Sequence, residues 1–273
     1  MINNDVTAAI CTKNAEANLE SCLKNLKQLE LNRIIAIDAD SKDKTQEIIK
    51  DYKIEIFRDN YKTLGGARSI AVKNTNTKYI FFLGPDNFID KISLQLLKRD
   101  MDKNSWVGIA PLQKVLEPKG YILNCLNIYK SAKITIGAKK VIGTPQLYLT
   151  EILKKNNYNP KMHYSDDTEL GERLNKLNLK IGVSNIKSYE IGENNFKDIY
   201  KRWNFYGTSD LDFYNLKKKD WSFKRKLSSL FSPLRKDFIN IIISNKIHLI
   251  KKVYILPFLI FIVIARYSGW SKL

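Results

Sequence analysis

The sequence predicts an α/β fold, a mostly parallel sheet flanked by helices and followed by a helical extension at the C-terminal end. Two patterns carry this expectation: strand and helix alternate with short connections from Val6 to Leu83, and the run Tyr79-Ile80-Phe81-Phe82-Leu83 is unbroken in apolar character. Alternation of this kind favours a parallel sheet covered by helices on both faces, and inner parallel strands need no polar alternation.

The elements follow in order. Val6 to Cys11 reads as a short apolar strand, and Ala15 to Leu29 as a helix with Leu19, Leu23 and Leu26 at helical spacing. Arg33 to Ile37 is a strand, Asp43 to Tyr52 a helix with Ile48 and Ile49 inward, Ile54 to Phe57 a strand, and Ala67 to Lys73 a helix. From Trp106 to Leu149 the pattern loosens. Pro111, Pro118, Gly120, Gly137, Gly143 and Pro145 punctuate short β-like pieces such as Val107 to Ala110 and Gln146 to Leu149. Helical periodicity returns over Asp166 to Leu177, and Ile181 to Val183 and Ile186 to Tyr189 read as closing strands.

Bulk composition narrows the class. A chain of 273 residues with 44% hydrophobic content can bury a substantial core, and its length fits one large domain with an appendage. Cys11, Cys22 and Cys125 form neither an even disulfide set nor a close-spaced metal pattern, which suits a reducing compartment. With only His163 and His248, a His-rich zinc site is disfavoured, and any metal is expected to be a hard cation held by carboxylates and phosphate. No secretory signal opens the chain, so a cytoplasmic location is expected.

The net charge of +18 calls for an anionic partner, and its distribution says more than its size. From Leu211 onward there are 13 Lys or Arg and 3 Asp or Glu, a balance of 13 − 3 = +10. Lys217-Lys218-Lys219, Lys224-Arg225-Lys226, Arg235-Lys236 and Lys251-Lys252 alternate there with Trp221, Phe223, Phe231 and Phe238. This interleaving describes a peripheral or monotopic surface lying on an anionic membrane. The apolar run Val253 to Ala265 is short for a span, which needs about 20 residues, and it contains Pro257. It suits an interfacial, re-entrant or buried segment, and docking on its own domain is the alternative. The expected division is a domain over 1–210, with halves 1–105 and 106–210, and an extension over 211–273.

Four clusters fall at predicted strand ends or helix starts. Gly84-Pro85-Asp86-Asn87 sets a carboxylate where a buried strand runs into a turn, which makes Asp86 a candidate metal or phosphate ligand. As structure alone it is an ordinary turn. Asp38 ends its strand within Ile37-Asp38-Ala39-Asp40-Ser41-Lys42-Asp43-Lys44-Thr45, where a carboxylate can accept from a base or ribose, and Ser41 and Asp43 can cap the next helix. Gly65-Gly66 ahead of a helix allows close backbone approach to a phosphate, and Arg68 supplies a guanidinium for an oxyanion. In Tyr164-Ser165-Asp166-Asp167-Thr168-Glu169-Leu170, Ser165 can cap the helix and the carboxylates suit its dipole, but paired carboxylates also serve to deprotonate an acceptor.

The order of these clusters resembles the family 2 inverting glycosyltransferases of GT-A fold, from about Val6 to Gly207. Ala8-Ala9-Ile10-Cys11-Thr12-Lys13-Asn14-Ala15-Glu16 is similar to the family's opening strand and Asn-Glu turn. Ile37 to Thr45 resembles its Val-Asp-Asp-Gly-Ser-x-Asp-x-Thr motif, and Gly65-Gly66-Ala67-Arg68-Ser69 its Gly-x-Ala-x-Asn or Ala-Arg-Asn segment. Phe82 to Asn87 takes the place of the Leu-Asp-x-Asp metal motif, and Ser165 to Leu170 that of the Glu-Asp-x-Asp-Leu acceptor motif.

The resemblance implies a Rossmann-like nucleotide-sugar-binding half and an acceptor half. It places Thr12, Asn14, Glu16, Asp38, Gly66, Arg68 and Asp86 at the donor, and makes Asp167 the catalytic base with Asp166 next in line. It also implies a divalent cation, Mg²⁺ or Mn²⁺, on Asp86 and Glu190. Two departures stand out: Ala39 replaces a second aspartate, and Gly84 replaces the first aspartate of the metal motif. The expected partners are a nucleotide-sugar donor, a glycan or lipid-linked acceptor and an anionic membrane surface, with no nucleic acid. Alternatives are a nucleotidyltransferase on a related scaffold, a basic nucleic-acid- or membrane-binding protein, and an inactive scaffolding member.

Overall fold

The computed structural model describes residues 3–163 and 165–271. The elements in chain order are β1(Asn3–Thr12), α1(Glu16–Gln28), β2(Leu31–Asp38), α2(Thr45–Asp51), β3(Glu55–Arg58), α3(Leu64–Lys73), β4(Tyr79–Leu83), β5(Asn87–Phe88) and α4(Lys91–Lys103). They continue with β6(Gly108–Val115), α5(Gly120–Lys133), β7(Gly137–Lys139), β8(Gln146–Leu149), α6(Thr150–Lys155), α7(Asp166–Lys176), β9(Ile181–Glu190) and α8(Phe196–Lys217). The undescribed termini aside, one compact unit spans Met1–Gln113 with Ile136–Ile191, and a second spans Lys114–Thr135 with Gly192–Leu273.

The first unit is built on a nine-stranded mixed sheet of order β3-β2-β1-β4-β8-β6-β9-β5, with β7 paired to β9. Its first four strands are parallel. From β8 onward the pairings turn antiparallel, β4 with β8, β8 with β6, and β9 with both β5 and β7. The parallel run Tyr79–Leu83 is wholly buried, as its continuous apolar sequence requires. Its core joins Leu19, Leu23 and Leu26 of α1 to Ile10, Phe81 and Leu147 of the sheet and to Leu94, Leu97 and Met101 of α4.

Helices α4, α5 and α6 and the first half of α8 depart from the sequence expectation, which placed no helix there. Helix α4 presents Leu94, Leu97 and Met101 at helical spacing and is capped by Asp90, whose side chain accepts from the Ser93 N–H. Helix α5 occupies part of the stretch read as β-like pieces. Gly120, at φ +77°, starts it, and Cys125, Leu126, Tyr129 and Ala132 form its buried side. The two closing strands are one strand, β9.

The second unit is helical apart from the end of β6. By packing it begins again at Gly192, whereas the basic composition begins at Leu211. Helix α9(Phe223–Leu230) buries none of its residues. The chain then runs through a π-helical stretch, Arg235–Ile239, into the terminal helix Leu249–Trp270. One side of that helix, with Ile255, Phe258, Leu259 and Ile262, joins a core with Leu126, Tyr129, Ile199 and Trp203. Among the described residues, no helix is long and apolar enough to cross a membrane. Gly207 of α8 and Gly269 of the terminal helix meet main chain to main chain. A Cβ on Gly207 would stand 1.9 Å from the Arg266 carbonyl oxygen, and one on Gly269 would stand 2.2 Å from that of Asn204.

Candidate active site

The parallel strands bring their carboxyl ends to one edge of the sheet. The chain runs β1, β2, β3 in one direction and returns to lay β4 on the other side of β1, so the topology reverses between β1 and β4. Ligand crevices open at such reversals.

Two loops at this edge are stitched together. Thr12 pairs with Asp38 in register. The Asp38 carboxylate is buried and accepts from Thr12 Oγ1 at 3.0 Å, Ser41 N at 2.9 Å, Ser41 Oγ at 2.5 Å and Gln46 Nε2 at 2.7 Å. A carboxylate offers about four acceptor positions, so protein donors occupy all of them. Asn14, in the left-handed region at φ 49°, accepts from Lys42 N through Oδ1 and donates its own N–H to Ser41 Oγ. Glu16 Oε2 accepts from Lys44 N, and Asp43 Oδ2 accepts from Glu16 N. Ser41 therefore ties the two loops instead of capping α2, whose N-cap, Lys44, makes no side-chain cap bond.

The paired glycines do not form an anion cradle. Helix α3 starts at Leu64, so both lie inside its first turn. Four amino-terminal N–H groups, Leu64, Gly65, Gly66 and Ala67, donate to His163 O, Met162 O, Thr63 Oγ1 and Thr63 O. A Cβ on Gly65 would stand 2.3 Å from Asn159 O, and one on Gly66 would stand 2.4 Å from Tyr61 Cβ. Close approach is the reason for both glycines, and the protein itself makes that approach.

Arg68, expected at the donor oxyanion, is 3% exposed and turned to the acidic cluster. Its Nη1 donates to Asp166 Oδ2 at 2.7 Å and to Asp167 Oδ1 at 2.5 Å, and its Nη2 donates to Thr144 Oγ1. The guanidinium lies 5.8 Å from the Phe82 ring centre and 5.4 Å from that of Tyr158. Phe82 pairs in register with Gln146, so β8 starts beside the carboxyl end of β4. Gln146 Nε2 donates to Asp167 Oδ1 at 2.8 Å and to Tyr158 at 3.1 Å. Gln146 and Thr144 belong to none of the sequence clusters, although a lone amide opening an apolar strand is a usable signal.

The structure separates the two adjacent carboxylates that composition left equivalent. The Asp166 side chain is fully buried, and that of Asp167 is 18% exposed. Burial lifts the Asp166 carboxyl to about 7, against the pull of Arg68 and with the repulsion of Asp167 added. Asp166 Oδ1 is buried without a hydrogen-bond partner among the described residues. Asp167 holds Oδ1 on Arg68 and Gln146, its side chain is 18% exposed, and among the described residues its Oδ2 takes no hydrogen bond. Ser165 precedes these carboxylates without a side-chain cap bond to α7. Tyr164, the first residue of the acidic cluster, lies outside the described residues.

The metal candidates sit at the end of β4. Asp86 is half-buried, its Oδ1 accepts from Asn87 Nδ2 at 3.2 Å, and its carbonyl accepts from Ile191 N. Glu190 is buried directly opposite Asn87 in the β5–β9 pair. A Cβ at Gly84 would stand 2.6 Å from Asp86 Oδ1, so Asp86 occupies the space a side chain at 84 would take. Among the described residues, no three His, Cys, Asp or Glu side chains converge into a cation site. This donor set suits a cation that brings oxygen ligands with it and does not suit one held by protein alone.

Comparison with known proteins agrees with the fold. S. aureus TarS 1–349, solved in complex with UDP-GlcNAc, superimposes with a TM-score of 0.56 at 14% identity, over 98% of this chain and 89% of that one. Glucosyl-3-phosphoglycerate synthase from Mycobacterium tuberculosis, in complex with Mg²⁺ and UDP, does so with a TM-score of 0.53 at 13% identity, over 83% and 78%. A curated relative by sequence, probable polyketide synthase 34 of Dictyostelium discoideum, is 30% identical over 177 residues, 60% of this chain, and the match spans only 5% of that protein. The architecture is the GT-A fold. Residues 7–155 match the glycosyl transferase family 2 model, which takes in β1 through α6 and so the whole parallel half of the sheet; the chain belongs to that family and is a glycosyltransferase.

Proposed function

We propose that this glycosyltransferase moves a sugar from a nucleoside-diphosphate sugar to a hydroxyl or phosphate group of a lipid-linked or membrane-proximal acceptor, at the cytoplasmic face of a membrane, with inversion at the anomeric carbon. The observation that carries the reading is Asp167, a partly exposed carboxylate with one oxygen clamped by Arg68 and Gln146 and the other without a hydrogen bond among the described residues. The nucleotide complexes of the structural neighbours support the donor class.

Asp167 Oδ2 takes the proton as the acceptor oxygen attacks the anomeric carbon. The bond from that carbon to the diphosphate oxygen breaks, and its electron pair leaves with the nucleoside diphosphate. Arg68 and Gln146 hold the base in one rotamer, and Asp166 holds Arg68 by accepting from the same Nη1. The stitched loops around Thr12, Asn14, Glu16 and Asp38 shape the nucleotide side of the crevice. Asp86, together with Glu190, would hold Mg²⁺ or Mn²⁺ that arrives with the donor, where a cation offsets charge on a departing diphosphate.

A thermal-shift panel of nucleoside-diphosphate sugars, with Mg²⁺, Mn²⁺ or chelator, tests this reading. One donor should raise Tm in a concentration-dependent way, since a ligand that binds only the folded state stabilises it by mass action. A flat panel would remove the donor assignment. Undiminished turnover after exhaustive chelation would remove the cation from Asp86.

A further inference from the structure

The terminal helix faces its own unit with one side only. Val253, Pro257, Ile260 and Ile264 follow one another at helical spacing along the outward side, and no charged residue interrupts the helix from Val253 to Ala265. Val253 is 66% exposed and Ile264 61%, and Ile250 at the start of the same side reaches 83%. A solvent-facing helix side is ordinarily polar, and a continuous apolar stripe marks a contact surface.

Two further observations identify the contact. Tyr121, Phe196, Tyr200 and Tyr254 gather half-exposed around this helix, with the Phe196 and Phe261 rings 5.0 Å apart and those of Tyr121 and Tyr254 5.1 Å apart. Aromatic rings with one polar end favour the boundary between water and lipid. Helix α9 repeats the pattern, with Phe223, Leu227 and Leu230 exposed along one side and Lys224 and Lys226 beside them. Its last residue is tied to the terminal helix, where the Tyr267 hydroxyl donates to the Leu230 carbonyl at 3.1 Å. Lys251 and Lys252 supply the same basic flank at the start of the terminal helix.

We infer that the outward side of the terminal helix and the apolar side of α9 lie in the interface of an anionic lipid leaflet, with the terminal helix in the membrane plane. This rests on the membrane-proximal part of the proposed function and names the surface that achieves it. The buried side of the same helix is committed to the protein core, so the segment binds lipid as one face of a folded unit.

Co-sedimentation of the full chain with phosphatidylcholine vesicles, with and without phosphatidylglycerol, tests the assignment. The wild type should bind the anionic vesicles. The triple variant V253S/I260S/I264S and the pair F223S/L227S should each bind about tenfold more weakly, with Tm and the donor-induced Tm shift retained. Binding of both variants at the wild-type level would overturn this surface while leaving a membrane-proximal reaction standing. Failure of the wild type to bind either vesicle would overturn both. A wild-type dimer that dissociates in the triple variant, without vesicle binding, would overturn the lipid in favour of a second copy of the chain.

Discussion

Asp38 and Asp167 stand at the same edge of one sheet, and their surroundings differ in a way that assigns their work. Every acceptor position of Asp38 is filled by Thr12, Ser41 and Gln46, so this carboxylate holds two loops in register. Asp167 has one oxygen filled and, among the described residues, no hydrogen bond on the other. Saturation marks a carboxylate that builds the crevice, and an open oxygen marks one that can act in it. Asp166, its neighbour in sequence, differs from it by burial, with a fully buried side chain whose Oδ1 has no hydrogen-bond partner among the described residues.

The comparison is broken most directly at Asp167. Asp167→Asn should lower kcat roughly 10²–10⁴-fold, the usual worth of a positioned base, while stability and donor binding stay near wild type. Near-normal turnover would reassign the base. Arg68→Met should act on stability first, because it removes the guanidinium donor shared by Asp166 and Asp167, at a cost of about 3–5 kcal/mol. Arg68→Lys should recover part of that loss in a denaturant titration, and an unchanged midpoint for Arg68→Met would dissolve the clamp.

Asp38→Ala should cost about 1–3 kcal/mol through its orphaned donors and weaken donor binding, the reverse of the Asp167→Asn profile. If its stability matches wild type, saturation carries no structural weight. The smallest effect is a pH slope. Burial raises Asp166 in the folded state to about 7, so the folded chain holds a proton that the unfolded chain releases near its ordinary value of 3.8. Stability from this group is therefore present at low pH and declines as pH rises from about 4 to about 7, at up to about 1.4 kcal/mol per unit. Wild type minus Asp166→Asn, followed as Tm from pH 4 to 8, should show that decline. A flat difference would mean that Arg68 keeps Asp166 ionised throughout.

The parallel half of the sheet is legible in the sequence because each strand there is a short apolar run between turn residues, and the antiparallel strand Gln146–Leu149 has the bounds its sequence predicts. The order of clusters was legible for the same reason, since loops at strand ends keep their sequence spacing. Burial was not. Nothing in Asp166-Asp167 says which carboxylate faces inward, because a helix turns its adjacent residues about 100° apart and the packing of Arg68, 98 positions away, decides the rest. The glycines misled for a related reason: the sequence shows that something approaches closely and is silent on whether it is a phosphate or the carbonyl of Asn159. Helix α5 was hidden by its own punctuation, since Pro118 and Gly120 that read as loop residues lead into its first turn.

The contact of Gly207 with Gly269 keys one helix into another. Because main chain meets main chain, the terminal helix cannot roll about its axis without driving a side chain into α8. Its bearing is therefore set in the fold, as a blade is set in its handle: whichever way the helical unit turns, the row from Val253 to Ile264 points away from Trp203 and the core. A Cβ at either glycine would meet a carbonyl oxygen of the other helix at 1.9 or 2.2 Å, so the bearing of that row depends on both positions staying glycine.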